Sequence, residues 1–367
     1  MSQIKRIKKI GTRIIAFGIL ITFVGCTSFG SSTLARERIN YNAALQITND
    51  EQLLLNLVRL HFMDSTAFLE VSSITAQSSF ETSLEGGRIA LPAIAPMFGI
   101  IGNLGYSTQP TLVYTPLQGE NFIRHLMSPL TIERLVLLYH SGWDIEHLFS
   151  LCLVEINEIN NVSRVSQSDS IPSHEIQRFE RIVKLLSKID ASGGLDLLLG
   201  SEPNDATQQY FLHIMADVLE NSEAQSLIQL LGLHPDQTFY RIAYPAIQTE
   251  KALRQDTIYI RPRSVLGIMS FLSQWVEHDH GDEDGGHYVT PQFSKVGKPR
   301  DFPFSIKSQS GRPKNAAVAV YYRNHWFYID DADLGSKSIF SLLTQVFALQ
   351  ASPVPVTPPV LTLPVGR

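Results

Sequence analysis

Cysteine is nearly absent from this 367-residue chain, which has only Cys26 and Cys152. Two thiols cannot build a disulfide framework, so packed apolar side chains must hold the fold. Positive charge is also in deficit. Lys and Arg number 30 against 35 Asp and Glu, a formal charge of −5, which excludes nucleic acid or anionic lipid as a partner recruited by bulk charge. Catalytic signatures are missing. There is no G-x-S-x-G elbow, no H-E-x-x-H and no Walker-type loop, and S-x-x-K occurs only at Ser2–Lys5 in the basic N-terminal stretch. Gly99, Gly102 and Gly105 make no phosphate loop, since no helix opening and no Lys or acid accompanies them. His61, His125 and His140 have no partner visible in the sequence. No enzyme class is indicated, and no cofactor is expected.

The N-terminus is more informative. Residues 1–13 carry Lys5, Arg6, Lys8, Lys9 and Arg13 and no acid, and a twelve-residue apolar run, 14–25, follows. That run is short of the ~20 residues that span a bilayer, and it reads as a secretory signal. It ends in Phe23-Val24-Gly25-Cys26, which resembles a bacterial lipobox, with Phe23 where Leu is usual. The resemblance implies cleavage before Cys26 and a covalent lipid on it. Each buried methylene of that lipid contributes ~0.8 kcal/mol to anchoring. Thr27 after the Cys implies delivery to the outer membrane. Loss of residues 1–25 removes five positive charges, so the mature chain carries −5 − 5 = −10. With Cys26 acylated, Cys152 stands alone among apolar residues, as a small buried hydrophobe does.

The rest of the chain reads as α+β: helices with an antiparallel or mixed sheet and a helical middle segment. Residues 26–46 read as lipid anchor and tether, 47–160 as an N-terminal α+β region, 161–175 as a linker, 176–350 as a C-terminal α+β region and 351–367 as a Pro-rich tail. A helix is expected over 48–62, capped by Asn49 or Asp50, with Leu54, Leu57, Val58 and Phe62 on one stripe. Strands are expected within 67–115. The nearly uncharged stretch 86–106 is read there as a buried strand pair or as an exposed apolar loop touching membrane or partner. Helices should fill 119–159, with Pro129 opening one, and also 176–233. Further on, 256–262 reads as a strand, 263–278 as a helix and 316–331 as a hairpin turning at Arg323-Asn324-His325. The final helix, 333–350, should be opened by Asp330, Asp331 and Asp333. "TLVYTP" at 111–116 and "TIYIRP" at 257–262, each before a helix, form an internal echo.

Two segments could carry chemistry or contacts. In "EHDHGDEDGGH", His278, His280 and His287 with Asp282 and Asp284 could gather around a divalent metal, although the spacing fits no strong signature and misses the calcium-loop register. In the 316–331 hairpin, Tyr322, Trp326 and Tyr328 could serve a partner, because Tyr and Trp are enriched at interfaces.

Three blocks, "NDEQLLLNLVRLHFMDSTAFLEVSSITAQSSF", "PTLVYTPLQGENFIRHLMSPLTIERLVLLYHSGWDI" and "HWFYIDDADLGSKSIFSLLTQVFALQ", resemble a proteobacterial envelope lipoprotein family with no assigned activity. The resemblance implies an exported, lipid-anchored protein and transfers no catalytic residue. Two readings follow. One is a non-enzymatic scaffold or accessory subunit of an envelope assembly, such as one of secretion or export. The other is a periplasmic metal-binding protein or metal-dependent hydrolase built on the 277–287 loop.

Overall fold

The computed structural model describes residues 29–89, 97–117, 119–161, 173–202, 205–245, 254–277 and 302–350. These form an α+β fold, and the chain divides into two units, residues 1–52 and 53–367. Helix α1 runs over Phe29–His61, so it starts nineteen residues before the expected Thr48. Asn49 and Asp50 therefore lie inside a helix and cap nothing, and from Phe29 onward the expected tether is helical. The good helix formers of "TLARERINYNAALQ" explain the extension. The stripe of Leu54, Leu57, Val58 and Phe62 is buried as expected.

Strands β1 (Leu69–Ile89) and β2 (Met97–Pro116) make a two-stranded antiparallel ladder. Helices α2 (Glu120–Met127), α3 (Ile132–His140) and α4 (Ile145–Cys152) follow. Pro129 opens none of them. It bridges to Ser264, and Thr131 caps α3 by accepting from the Arg134 N–H.

The chain then departs from the helical expectation. β3 (Leu153–Ile156) and β4 (Ile159–Asn160) turn through Asn157 and Glu158, both at positive φ. After α5 (Ser173–Ala191) come β5 (Leu195–Glu202) and β6 (Asp205–Ile214), then α6 (Ser222–Leu231). The segments Leu153–Ile156 and Leu195–Leu199 are short and apolar except for Glu155 and Asp196, and over so few residues helix and strand periodicities look alike. β7 (Phe239–Ala243) and β8 (Thr257–Pro262) complete a six-stranded sheet of order β4-β3-β8-β7-β6-β5, mixed because β7 and β8 are parallel. Strands from both sides of 161–175 thus build one sheet. Of that linker, 162–172 lie outside the described residues, Asn161 is buried, and Ser173 opens a helix.

Helix α7 (Val265–Leu272) is capped by Ser264, whose hydroxyl accepts from the Gly267 N–H. A third sheet, of order β10-β11-β9, combines β9 (Lys307–Gln309), β10 (Ala316–Tyr322) and β11 (His325–Asp330). Its tight turn places Arg323 and Asn324 at φ 46° and 66°, the left-handed pair that a two-residue hairpin needs. Helix α8 (Leu334–Gln350) starts at Asp333, whose carboxylate accepts from the Ser336 N–H. The two echoed segments end strands of different sheets, so they form no repeated sheet unit.

One buried cation joins these parts. Arg263 donates from Nη1 to the carbonyls of Ser150 (3.1 Å) and Leu151 (2.8 Å), and its guanidinium lies 4.1 Å over the Phe271 ring. Its backbone N–H donates to Cys152 O, and its carbonyl accepts from the Leu130 N–H. Burial lowers its pKa to about 9, which still leaves it charged at neutral pH. Cys152, fully buried as expected, has its thiol pushed up to about 12 by burial, against the pull of Arg263.

Two predictions follow from this packing. In a Cys26→Ala background, thiol reagents at pH 8 should leave native Cys152 unmodified and react only in denaturant; prompt native reaction would contradict its burial. Asn157 donates to Leu231 O and accepts from the Tyr259 N–H while holding φ 44°. Asn157→Ala should cost about 2–4 kcal/mol in urea unfolding, and Asn157→Gly should recover only the backbone share.

Candidate functional site: a two-stranded ladder with two faces

The ladder of β1 and β2 is the feature that no packing requirement of the core explains. It pairs from Leu69↔Pro116 to Ile89↔Met97, with one register shift between Val71 and Ser73. Its 21-residue strand has a length of roughly 70 Å at ~3.4 Å per residue, against a usual five or six residues per strand. The ladder leaves the core at buried Phe68 and returns at Leu117, whose N–H donates to Phe68 O. Among the described residues no third strand pairs with it and no other element packs extensively on it. At its base, Leu69, Val113 and Tyr114 are about half exposed.

A lone two-stranded ladder is marginal in water, and each of its edges presents unpaired backbone donors and acceptors. Soluble proteins blunt such edges with Lys, Pro or covering elements. Here β2 has no charged residue in twenty, and β1 has only Glu70, Glu81, Glu85 and Arg88.

The register sorts the residues by face. One face collects the pairs Ile74↔Leu112, Ala76↔Pro110, Phe80↔Tyr106, Leu84↔Gly102 and Gly86↔Ile100, with Ser78, Thr108 and Thr82 the uncharged polar positions and Arg88 at the far end. The other face collects Thr75↔Thr111, Gln77↔Gln109, Ser79↔Ser107 and Ser83↔Asn103, together with Glu81 and Glu85. Ile101 and Val113 are its apolar exceptions before the Ile89↔Met97 end. The stretch 86–106, expected as a buried strand pair or an exposed apolar loop, is strand over 86–89 and 97–106. Residues 90–96 lie outside the described residues.

The residues singled out by sequence fall elsewhere. Cys26, the metal candidates His278, His280, His287, Asp282 and Asp284, and the tail 351–367 lie outside the described residues. Among the described residues no cluster of His, Cys, Asp or Glu could hold a metal. Tyr322 donates its hydroxyl to Asp64, which also pairs with Arg323 at 2.7 Å, and Arg323 lies 4.6 Å over the Phe62 ring. The Tyr322 phenol is thus committed to an internal contact, and its pKa is raised by burial and by Asp64. Trp326 and Tyr328 share the half-buried face of β11, while Phe327 is buried on the other. Trp326 stacks obliquely on Tyr321 and under Arg312. His61 and His140 are held against the carbonyls of Ser273 and Leu197, which are structural contacts.

An open cleft of ≈ 440 Å³ lies where α3 begins beside β6 and β7, with Glu133, Tyr210, Arg241 and Tyr244 on its walls. The Tyr244 hydroxyl accepts from the Ile132 N–H. The cleft gathers one carboxylate, one guanidinium and two phenols but no nucleophile with a base beside it.

Because the ladder leaves the core untouched, residues 72–113 should be replaceable by an Asn-Gly turn between Val71 and Tyr114. The thermal midpoint is expected to stay within about 4 °C, the equivalent of ~1 kcal/mol or less. A collapse of the core transition would show that the ladder is structural. Compared with protein-family models, curated proteins and solved structures, the chain matches none.

Proposed function

We propose that this protein is a lipid-anchored bacterial envelope protein, non-enzymatic, that works as a subunit of an outer-membrane assembly and joins it through the β1–β2 ladder. The observation that carries this reading is the ladder itself: some forty paired residues, with neither edge paired among the described residues and one edge strand free of charge. Open edges of that length are templates for another strand. The lipobox-like Phe23–Cys26 supplies the membrane address.

The test is made on full-length protein extracted from the envelope in mild detergent. The mature chain is expected to begin at an acylated Cys26 by mass spectrometry, and the native particle to exceed one copy. Cys26→Ala should be lost from the outer-membrane fraction. The ladder-shortened variant should stay anchored and run as a single copy. An unacylated chain, or a full-length protein that runs alone, overturns the reading.

A further inference from the structure

We propose that the ladders of several copies of this chain pair edge to edge into a membrane-spanning β-barrel, whose apolar face meets lipid and whose Glu81 and Glu85 positions surround an aqueous lumen. This rests on the assembly reading above and names what the ladder assembles with: further copies of itself, in the bilayer.

The register supplies the dimensions. From the Phe80↔Tyr106 pair to the Arg88↔Phe98 pair, both included, each strand has nine residues. A transmembrane strand needs about 9–11 residues at its usual tilt, and its outward apolar band of about 25 Å is bounded by aromatic residues at both interfaces. Phe80 and Tyr106 stand at one limit of this band and Phe98 at the other. Between them the same face carries Leu84, Leu104 and Ile100, with Gly86, Gly102 and Thr82. Its sole charge, Arg88, stands at the aromatic limit, where a cation costs least.

The opposite face has the composition of a lumen. Within the band it places Glu81 opposite Gly105, Ser83 opposite Asn103 and Glu85 opposite Ile101. A dyad period of apolar and polar positions is the signature of barrel strands, and glycine-rich strands accept the curvature of closure. A bilayer also resolves the edge problem. Backbone groups in hydrocarbon must all be paired, and only a closed barrel achieves that with strands. With two strands per copy, closure at about eight strands or more takes about four copies or more. The remaining ladder, from Thr75↔Thr111 to Ser79↔Ser107, is polar on one face and carries small or hydroxyl residues on much of the other. It can continue the barrel wall beyond the bilayer. Two carboxylates per copy around the lumen make the pore prefer cations.

The experiment places single cysteines by Leu84→Cys, Ile100→Cys, Ser83→Cys and Asn103→Cys in the full-length protein. Each variant is labelled with a bimane and reconstituted in phosphatidylethanolamine/phosphatidylglycerol vesicles. Buried Cys152 does not compete for label. A lipid-borne nitroxide should quench the labels at 84 and 100 several-fold more than those at 83 and 103, and aqueous iodide should do the reverse. In planar bilayers the wild type should conduct, and the Glu81→Gln/Glu85→Gln double variant should show a several-fold lower K⁺/Cl⁻ permeability ratio. An oligomeric particle without the alternation overturns the barrel and leaves the assembly reading standing. A single-copy particle without alternation overturns both. Alternation with an unchanged permeability ratio overturns the assignment of the lumen face.

Discussion

The guanidinium of Arg263 is the pin on which the core depends. A fully buried cation is costly unless its donors are satisfied, and here backbone carbonyls rather than a carboxylate accept from Nη1. The last carbonyls of α4 satisfy it instead, at the end of the helix where the backbone dipole favours positive charge. The same residue ties β8 to α4 through Cys152 and to the start of α3 through Leu130, and Ser264 beside it caps α7. One short segment, Thr257–Val265, therefore fixes two strand pairings and three helix positions. Few substitutions could serve there, since lysine lacks both the fork and the flat face that stacks on Phe271.

Two treatments of exposed sheet edges coexist in this chain. The six-stranded sheet ends on one side in β4, which is only two residues long, and on the other in β5, which carries Asp196 and Glu202 and a register shift between Gly200 and Glu202. Those are the devices that keep an edge from recruiting a foreign strand. The β1–β2 ladder has on β2 only Pro110 and the terminal Pro116 of this kind, with no charge, and adds length. Among the described residues, the fold thus guards the edges of one sheet and not those of the other.

Much of this was legible in the sequence, and the strands it missed share one cause. The helices near Leu54 and Leu342, the strand 257–262 and the Arg323-Asn324 turn follow from periodicity, caps and turn chemistry. Strands β3 and β5 were hidden because Leu153-Val154-Glu155-Ile156 and Leu195–Leu199 are short, mostly apolar stretches, each with one acid, that helix and strand patterns fit equally. The sequence signal that could have exposed β5 and β6 is Gly193-Gly194 before them and Pro203-Asn204 between them. The long ladder was expected only as strands and turns. Its two-faced character emerges once the register pairs Phe80 with Tyr106, because a shift of one residue would scramble both faces. Cys26 and the His278–His287 loop were assigned from local pattern alone, and nothing in the described fold bears on them.

The pairing pattern of the ladder also has a bearing on time. Its innermost partners, Ile89 and Met97, are eight positions apart, and every later pair only extends the same zipper. Loop closure is thus met once, near the tip, and each further rung adds a local step. The core instead must bring Asn157 to Tyr259 and Arg263 to Leu151, across more than a hundred residues. Folding of the body and ordering of the ladder are consequently separate events. The body can be complete while the ladder is still frayed.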